Sequence, residues 1–408
     1  MIFRFFPLFV ALVGIIDVSQ AETFTLPSSE DSVVGELQYT RSRADETLID
    51  IAREFNLGYD QIVKANPAVN RWIPGEDRKI ILPHRYILPS PARKGIVLNL
   101  AELRMYYYPP VKRGEAGTVM TFPVSLGRMD WKTPLGATKV IRKDRDPAWH
   151  PPKSIREEHA REGDILPAVV PGGAPDNPLG RFAFRLGFPG YLIHGVDERK
   201  SYGIGMRVTH GCVRMYPEDI EQLFDLVPVN TPVQIVDEPI KVGWLGDQLF
   251  LEVHQPLEEG ENEDVAPLPR IATDRVLRFL AQHTPAGFWY EEQEIERITE
   301  QGDGIPHAIG RGDRGLAVRP VVGHQRTVIT EPSERPQPRS KVDREYEEIL
   351  KRYSGPDRRN QRTRYEVEED EEKQESSTRG VREADRGGDR ARFSGAGRSA
   401  RSYVEDRY

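Results

Sequence analysis

Thr209-His210-Gly211-Cys212-Val213-Arg214 holds the sole cysteine of a 408-residue chain, and a second histidine–glycine pair, His194-Gly195, stands upstream. A thiol attacks a carbonyl carbon as thiolate, and at its reference pKa of about 8.5 a free cysteine is mostly protonated at neutral pH. Three features nearby could activate it: His194 after the apolar run Tyr191-Leu192-Ile193, His210 two residues before the thiol, and the start of a helix near Pro217. His194 is the preferred base, because a strand end holds a side chain on rigid backbone and Gly195 beside it leaves room for substrate. His210 takes a supporting role, orienting the carbonyl or the acceptor. Backbone N–H groups around Gly211 and Cys212, in the turn opened by Thr209, would receive a developing oxyanion. Arg214 either pairs with a substrate carboxylate or closes a salt bridge with Glu218 or Asp219.

A lone cysteine more often only packs. Export, two histidines and glycines beside all three side chains favour a nucleophile instead. A zinc site would need a further protein ligand at recognisable spacing, and the sequence offers none; neither metal nor cofactor is expected.

Export is read from Met1-Ile-Phe-Arg4, the apolar run Phe5 to Ile16 and the small-residue exit Ser19-Gln20-Ala21, the order of a secretory signal over residues 1–21. The run is too short to span a bilayer, and no later stretch could do so, so no membrane span is expected after signal removal. In an oxidising destination a single cysteine forms no internal staple, so the fold must rely on its core. The balance of 57 Lys+Arg against 64 Asp+Glu, net −7, argues against nucleic acid as a partner.

The elements that must position these groups follow from periodicity. Residues 36–84 read as a small β-α-α-β module: Leu48, Ile51, Ala52 and Phe55 recur at helical spacing, a second helix spans 60–66, and Lys79 to Pro83 reads as a strand. Residues 95–237 are strand-rich, with a hairpin over Ile96 to Tyr108, strands at 118–126, 191–194 and 231–236, and one helix carrying Ile220, Leu223, Phe224 and Val227 on a face. This is a mostly β catalytic domain, sandwich- or barrel-like, with one or two helices. Residues 143–176 are rich in Pro, Asp and His without a period, which suits a lid over the site or a surface insertion. A hairpin and a helix form an extension over 238–304. Residues 305–408 form a charged tail, expected to be disordered because so few apolar residues cannot offset the entropy of ordering.

The spacing from His194 to Thr209-His210-Gly211-Cys212-Val213-Arg214 resembles the signature of the L,D-transpeptidase family, the YkuD catalytic domain. Thr133-Pro134-Leu135-Gly136 and Asn177-Pro178-Leu179-Gly180 look like its substrate-side loops. The first module resembles a LysM carbohydrate-binding module at Asp45-Glu46-Thr47-Leu48, Asn66-Pro67 and Pro74-Gly75. Asn56, Tyr59 and Asn66 could offer glycan contacts; alternatively the module only positions its neighbour. The resemblance implies a periplasmic enzyme acting on peptidoglycan stem peptides. Cys212 would form a thioester, His194 would be its base, and Thr209, Gly211, Arg214 and Gly195 would line the substrate and oxyanion side. The acceptor implied is a stem-peptide amine or a lysine-terminated outer-membrane lipoprotein. Water as acceptor would make the protein an L,D-carboxypeptidase or endopeptidase, and a non-catalytic wall-binding scaffold is the alternative outside enzymes.

Overall fold

Thr47 starts the first helix of the chain by a reciprocal cap: its Oγ1 accepts from the N–H groups of Ile49 and Asp50, and Asp50 Oδ2 accepts from Thr47 N–H at 2.8 Å. The computed structural model describes residues 22–27, 31–127, 133–161, 163–256, 269–286 and 288–312, with the backbone of 329–330. The expected leader and nearly all of the charged tail lie outside the described residues. Among those described, no helix is long and apolar enough to cross a membrane.

After β1 (Glu22–Thr25) come β2 (Val33–Arg41), α1 (Leu48–Glu54), α2 (Tyr59–Ala65) and β3 (Lys79–Ile87). Strands β2 and β3 pair antiparallel along their whole length, from Val33 opposite Ile87 to Arg41 opposite Lys79. Leu48, Ile51, Ala52, Leu57, Ile62, Ile80 and Leu82 close a small core between helices and hairpin. Asn66 ends α2 and ties it to β3, donating to the carbonyls of Ile62 and Ile81 and accepting from Ile81 N–H. The glycan-contact expectation fails for its three residues: Asn56, Tyr59 and Asn66 are only 3%, 3% and 5% exposed. Asn56 Nδ2, the Tyr59 hydroxyl and both amide atoms of Asn66 bond to protein, because this edge of the module is the one packed inward.

The central segment runs β4 (Gly95–Asn99), β5 (Arg104–Tyr108), β6 (Thr118–Pro123), β7 (Leu126–Gly127), β8 (Gly136–Arg145), α3 (Lys153–Arg161), β9 (Phe182–Leu186), β10 (Leu192–His194), β11 (Arg207–Thr209), β12 (Val213–Arg214), α4 (Pro217–Leu226) and β13 (Pro232–Val236). Nine strands form one sheet in the order β1-β6-β5-β4-β13-β8-β9-β10-β12, and β7 pairs with β11 separately. Helix α4 begins with Pro217 at its first turn and packs Phe224 on Phe182, ring centroids 4.8 Å apart. Ile96, Leu98, Phe122, Phe184, Ile193, Val213, Ile220 and Leu223 belong to the core beneath. The architecture is mostly β, as expected. Residues 143–176 are more ordered than their composition suggests: the first three complete β8, α3 lies in the middle, and Trp149 bridges Val170.

The extension holds β14 (Ile240–Leu245), β15 (Gln248–Val253), α5 (Thr273–His283), α6 (Glu292–Gln301) and β16 (His307–Arg311). It contains one helix and one strand more than the sequence pattern suggested. Strand β16 lies past residue 304, the expected start of the tail, because it pairs with β15 and buries Ile309 among Ile295, Ile298 and Leu251.

These segments meet at two buried polar seams. In the first, Lys241 Nζ lies 2.9 Å from Glu102 Oε2, 2.8 Å from Glu252 Oε1 and 2.6 Å from the carbonyl of Ile87. Glu252 also accepts from Ile87 N–H, and Glu102 from Asn99 and Tyr106. Burial alone would lower the Lys241 pKa, but the two carboxylates outweigh it and raise it. Glu102, Glu252 and His254 have the mutual spacing of metal ligands, yet the Lys241 ammonium already supplies the cation between the two carboxylates. In the second seam the α1–α2 turn docks beside α4. Tyr59 N–H donates to Ile204 O and Tyr216 OH to Leu57 O, both at 3.0 Å, and Arg53 pairs with Glu218 while its guanidinium covers the Tyr216 ring. Asn56 Nδ2 donates to Asp219 Oδ1 at 2.8 Å, whereas Asn56 Oδ1 and Asp219 Oδ2 are buried without partners.

A proton on Asp219 would spare the buried carboxyl an uncompensated charge. Burial, with Glu218 adding repulsion, pushes the Asp219 carboxyl up to about 8. An unfolded aspartate loses its proton near pH ~3.9, so unfolding between about pH 4 and pH 8 releases a proton and stability falls as pH rises through that window. Asp219→Asn should flatten this slope and raise stability near pH 8 by about 1–3 kcal/mol, as read by denaturant unfolding across pH. Lys241→Met leaves two buried carboxylates facing each other and should destabilise by about 3–5 kcal/mol in the same assay at neutral pH.

Candidate active site

Parallel pairing of β10 with β12 sets Ile193 opposite Val213 and His194 opposite Arg214. Side chains alternate along a strand, so Ile193 and Val213 enter the core while His194 and Arg214 share the other face, and Cys212 stands at the residue before β12. Cys212 is half-buried, its Sγ 3.9 Å from the Gly190 carbonyl.

The turn before the thiol is fixed by two hydroxyls. Thr209 Oγ1 donates to Cys212 O at 2.6 Å and accepts from Gly211 N–H at 3.2 Å. Gly211 adopts φ +100°, a conformation that side chains other than hydrogen rarely take. Its carbonyl accepts from Thr133 Oγ1 at 2.9 Å. In a planar trans peptide the next N–H points away from that carbonyl, so Thr133 sets the direction of the Cys212 N–H. This revises the oxyanion expectation: Gly211 N–H is engaged by Thr209, and the Cys212 N–H is the donor whose direction the turn fixes.

His194 is 3% exposed, and its Nδ1 lies 2.6 Å from the Gly195 carbonyl. A carbonyl only accepts, so Nδ1 carries the proton and Nε2 presents the lone pair. Burial, aided by the charge of Arg214, lowers the His194 pKa to about 3, against backbone hydrogen bonds with Gly195 and Leu179 that favour the cation. Burial likewise pushes the Cys212 thiol up, opposed by a backbone hydrogen bond with Leu192 and by Arg214. The resting pair is therefore neutral thiol and neutral imidazole rather than thiolate and imidazolium.

Gly195 differs from expectation. A Cβ there would lie 3.0 Å from Ile220 Cγ2, so its smallness admits α4 rather than substrate. Glu218 and Asp219, the proposed salt-bridge partners of Arg214, are engaged by Arg53 and Asn56 of the first module. His210 turns toward α3, its Nε2 2.8 Å from Glu158 Oε2. Sequence reasoning missed Thr133 as the anchor of Gly211 and Glu158 altogether. Both lie far from Cys212 in the chain; Thr133 stands in the stretch that resembles a substrate-side loop, which does not reveal its bond to Gly211, and no local pattern marks Glu158.

Arg214 favours the thiolate, so its removal should move the pH at which Cys212 becomes reactive further upward. The iodoacetamide labelling rate of the wild-type protein should show an inflexion above the ordinary thiol value of about 8.5, and Arg214→Gln should shift it higher still. An inflexion below pH 7 would contradict the neutral resting pair.

Residues 93–235 match the family model described as YkuD, the L,D-transpeptidase catalytic domain. The chain is 40% identical over 318 residues to the probable L,D-transpeptidase ErfK/SrfK of Escherichia coli K12, covering 75% of this chain and 96% of that protein. Its counterpart in Salmonella typhimurium is 37% identical over 320 residues, covering 76% and 98%. The probable L,D-transpeptidase YbiS of Escherichia coli K12 is 39% identical over 266 residues, covering 63% and 84%. With nearly the whole length of the first two relatives spanned, and the paired strands of the site inside the matched segment, this chain belongs to the L,D-transpeptidase family.

Proposed function

We propose that this L,D-transpeptidase works in the periplasm on peptidoglycan stem peptides through a thioester on Cys212. The observation that supports this reading best is the face shared by His194 and Arg214 across β10 and β12, with Cys212 one residue before β12 and partly exposed.

His194 Nε2 takes the thiol proton as sulfur bonds to the carbonyl carbon of the third-position diamino acid. The oxyanion is received by the Cys212 N–H that Thr133 and Thr209 aim. The C–N bond to the terminal D-alanine then breaks, and the imidazolium returns its proton to the leaving amine. A histidine whose pKa lies near 3 holds a proton only in passing, which favours this return over storage. In the second half an incoming amine loses a proton to His194, attacks the thioester carbonyl and releases sulfur, which regains the proton. Arg214 is positioned to draw a substrate carboxylate to the face it shares with His194.

The acceptor is the side-chain amine of another stem peptide, giving a cross-link between third residues, or the terminal lysine of an outer-membrane lipoprotein. The inward-facing Asn56, Tyr59 and Asn66 support a positioning role for the LysM-like module.

Incubation with a carbapenem should add one acyl mass to the intact wild-type protein and none to Cys212→Ala. With purified muropeptides, the wild type should release D-alanine and yield cross-linked species, while Cys212→Ala should lose at least about 10³-fold in rate. Release of D-alanine without transfer would make water the acceptor. Unchanged processing by Cys212→Ala would end the nucleophile assignment.

A further inference from the structure

Resting on the reading of Cys212 as nucleophile, we propose that Glu158 is a positioning residue for His210, which makes helix α3 part of the reacting constellation. The contact spans 52 residues of sequence, from a helix in the excursion between β8 and β9 to the turn that carries the thiol.

Helix α3 is not held by burial. Ile155 is its one buried residue, at 8% exposure, and its own ion pair, Lys153 with Glu157, stands in solvent. The base of the excursion is rigid by contrast. Trp149 and Val170 exchange two backbone hydrogen bonds, and Asn177 Nδ2 donates to the carbonyls of Pro147 and Pro171 at 2.8 and 3.0 Å. A Cβ on Gly172 would fall 1.9 Å from the Asp146 carbonyl, so the two limbs of the excursion touch backbone to backbone. From this base the chain reaches both histidines, Leu179 through its backbone to His194 and Glu158 through its side chain to His210.

The two imidazoles are thereby held through opposite nitrogens. The Gly195 carbonyl draws the proton of His194 to Nδ1, leaving Nε2 bare. The Glu158 carboxylate accepts the proton that His210 carries on Nε2. A carboxylate behind an imidazole also fixes the ring plane. The Glu158–His210 side chains are 25% and 21% exposed, half-withdrawn from water, so screening weakens the pair less than an open surface contact. Closing α3 on the turn therefore orients the second histidine.

A double-mutant cycle on the full chain tests this, with kcat/KM for D-alanine release from a synthetic stem tetrapeptide as the readout. Glu158→Ala should lower kcat/KM by about 10–100-fold, the usual loss when the outer partner of a functional histidine is removed. Glu158→Gln, which keeps an acceptor oxygen, should recover most of it. In a His210→Ala background, Glu158→Ala should cost nothing further. An unchanged rate for Glu158→Ala, or an equal loss in both backgrounds, overturns the proposal, since the latter is what a purely structural role of α3 predicts. Should Glu158→Ala fail to fold, as judged by its melting temperature, Glu158→Met, close in length but without an acceptor oxygen, takes its place in the two backgrounds. D-alanine release by Cys212→Ala would instead remove the nucleophile assignment, an outcome independent of what Glu158 does.

Discussion

The short parallel pairing of β10 with β12 is the constraint on which the candidate site depends. Two residue pairs, Ile193 with Val213 and His194 with Arg214, fix both the depth and the facing of His194 and Arg214 beside the thiol. A slip of one position would send His194 into the core and bring Ile193 out to the groove. The core forbids that slip, since Ile193 and Val213 are fully enclosed among Phe184, Ile220 and Leu223. The pairing is short, and its stability comes from its surroundings. Strand β9 flanks β10, Ser125 and Arg214 exchange two backbone hydrogen bonds, and Met215 N–H reaches the His194 carbonyl.

Around that pairing, burial and reactivity oppose each other. Enclosing His194 and placing Arg214 beside it makes the imidazole a weak base, while the same cation partly offsets the burial that makes the thiol a weak acid. A neutral pair is less prone to stray alkylation or oxidation than a thiolate held permanently exposed. In the proposed mechanism, activation belongs to the substrate complex, where approach of the carbonyl and alignment of the Cys212 N–H would give the transferred electrons a place to go.

Much of this was legible in the sequence, for identifiable reasons. The hairpin β4–β5 and strand β13 show apolar runs bounded by turn residues, and α4 shows its face at helical spacing. The thiol and its histidines declared themselves by residue type and by the glycines beside them. Strand β8 was not legible, since its alternation is carried by Lys, Arg and Thr rather than apolar side chains. Helix α3 lies among prolines with one buried side chain, so periodicity had almost nothing to show. The inward face of the module was misjudged for a different reason. Asn56 and Tyr59 are residue types suited to sugars, but Asn56 sits at φ 51° and its amide is matched to Asp219, a partner 163 residues away that no local pattern reveals. Thr133 and Glu158 share that difficulty.

The Lys241 seam bears on what counts as a separable piece. The family match begins after Ile87 and ends before Lys241 and Glu252, so a fragment cut at those limits keeps Glu102 and discards the ammonium that neutralises it. The same cut discards Asn56 and Arg53, stripping α4 of both partners just behind the thiol. Similarity marks out the segment that recurs among relatives; buried charge marks out a larger one, tied to the residues before and after it.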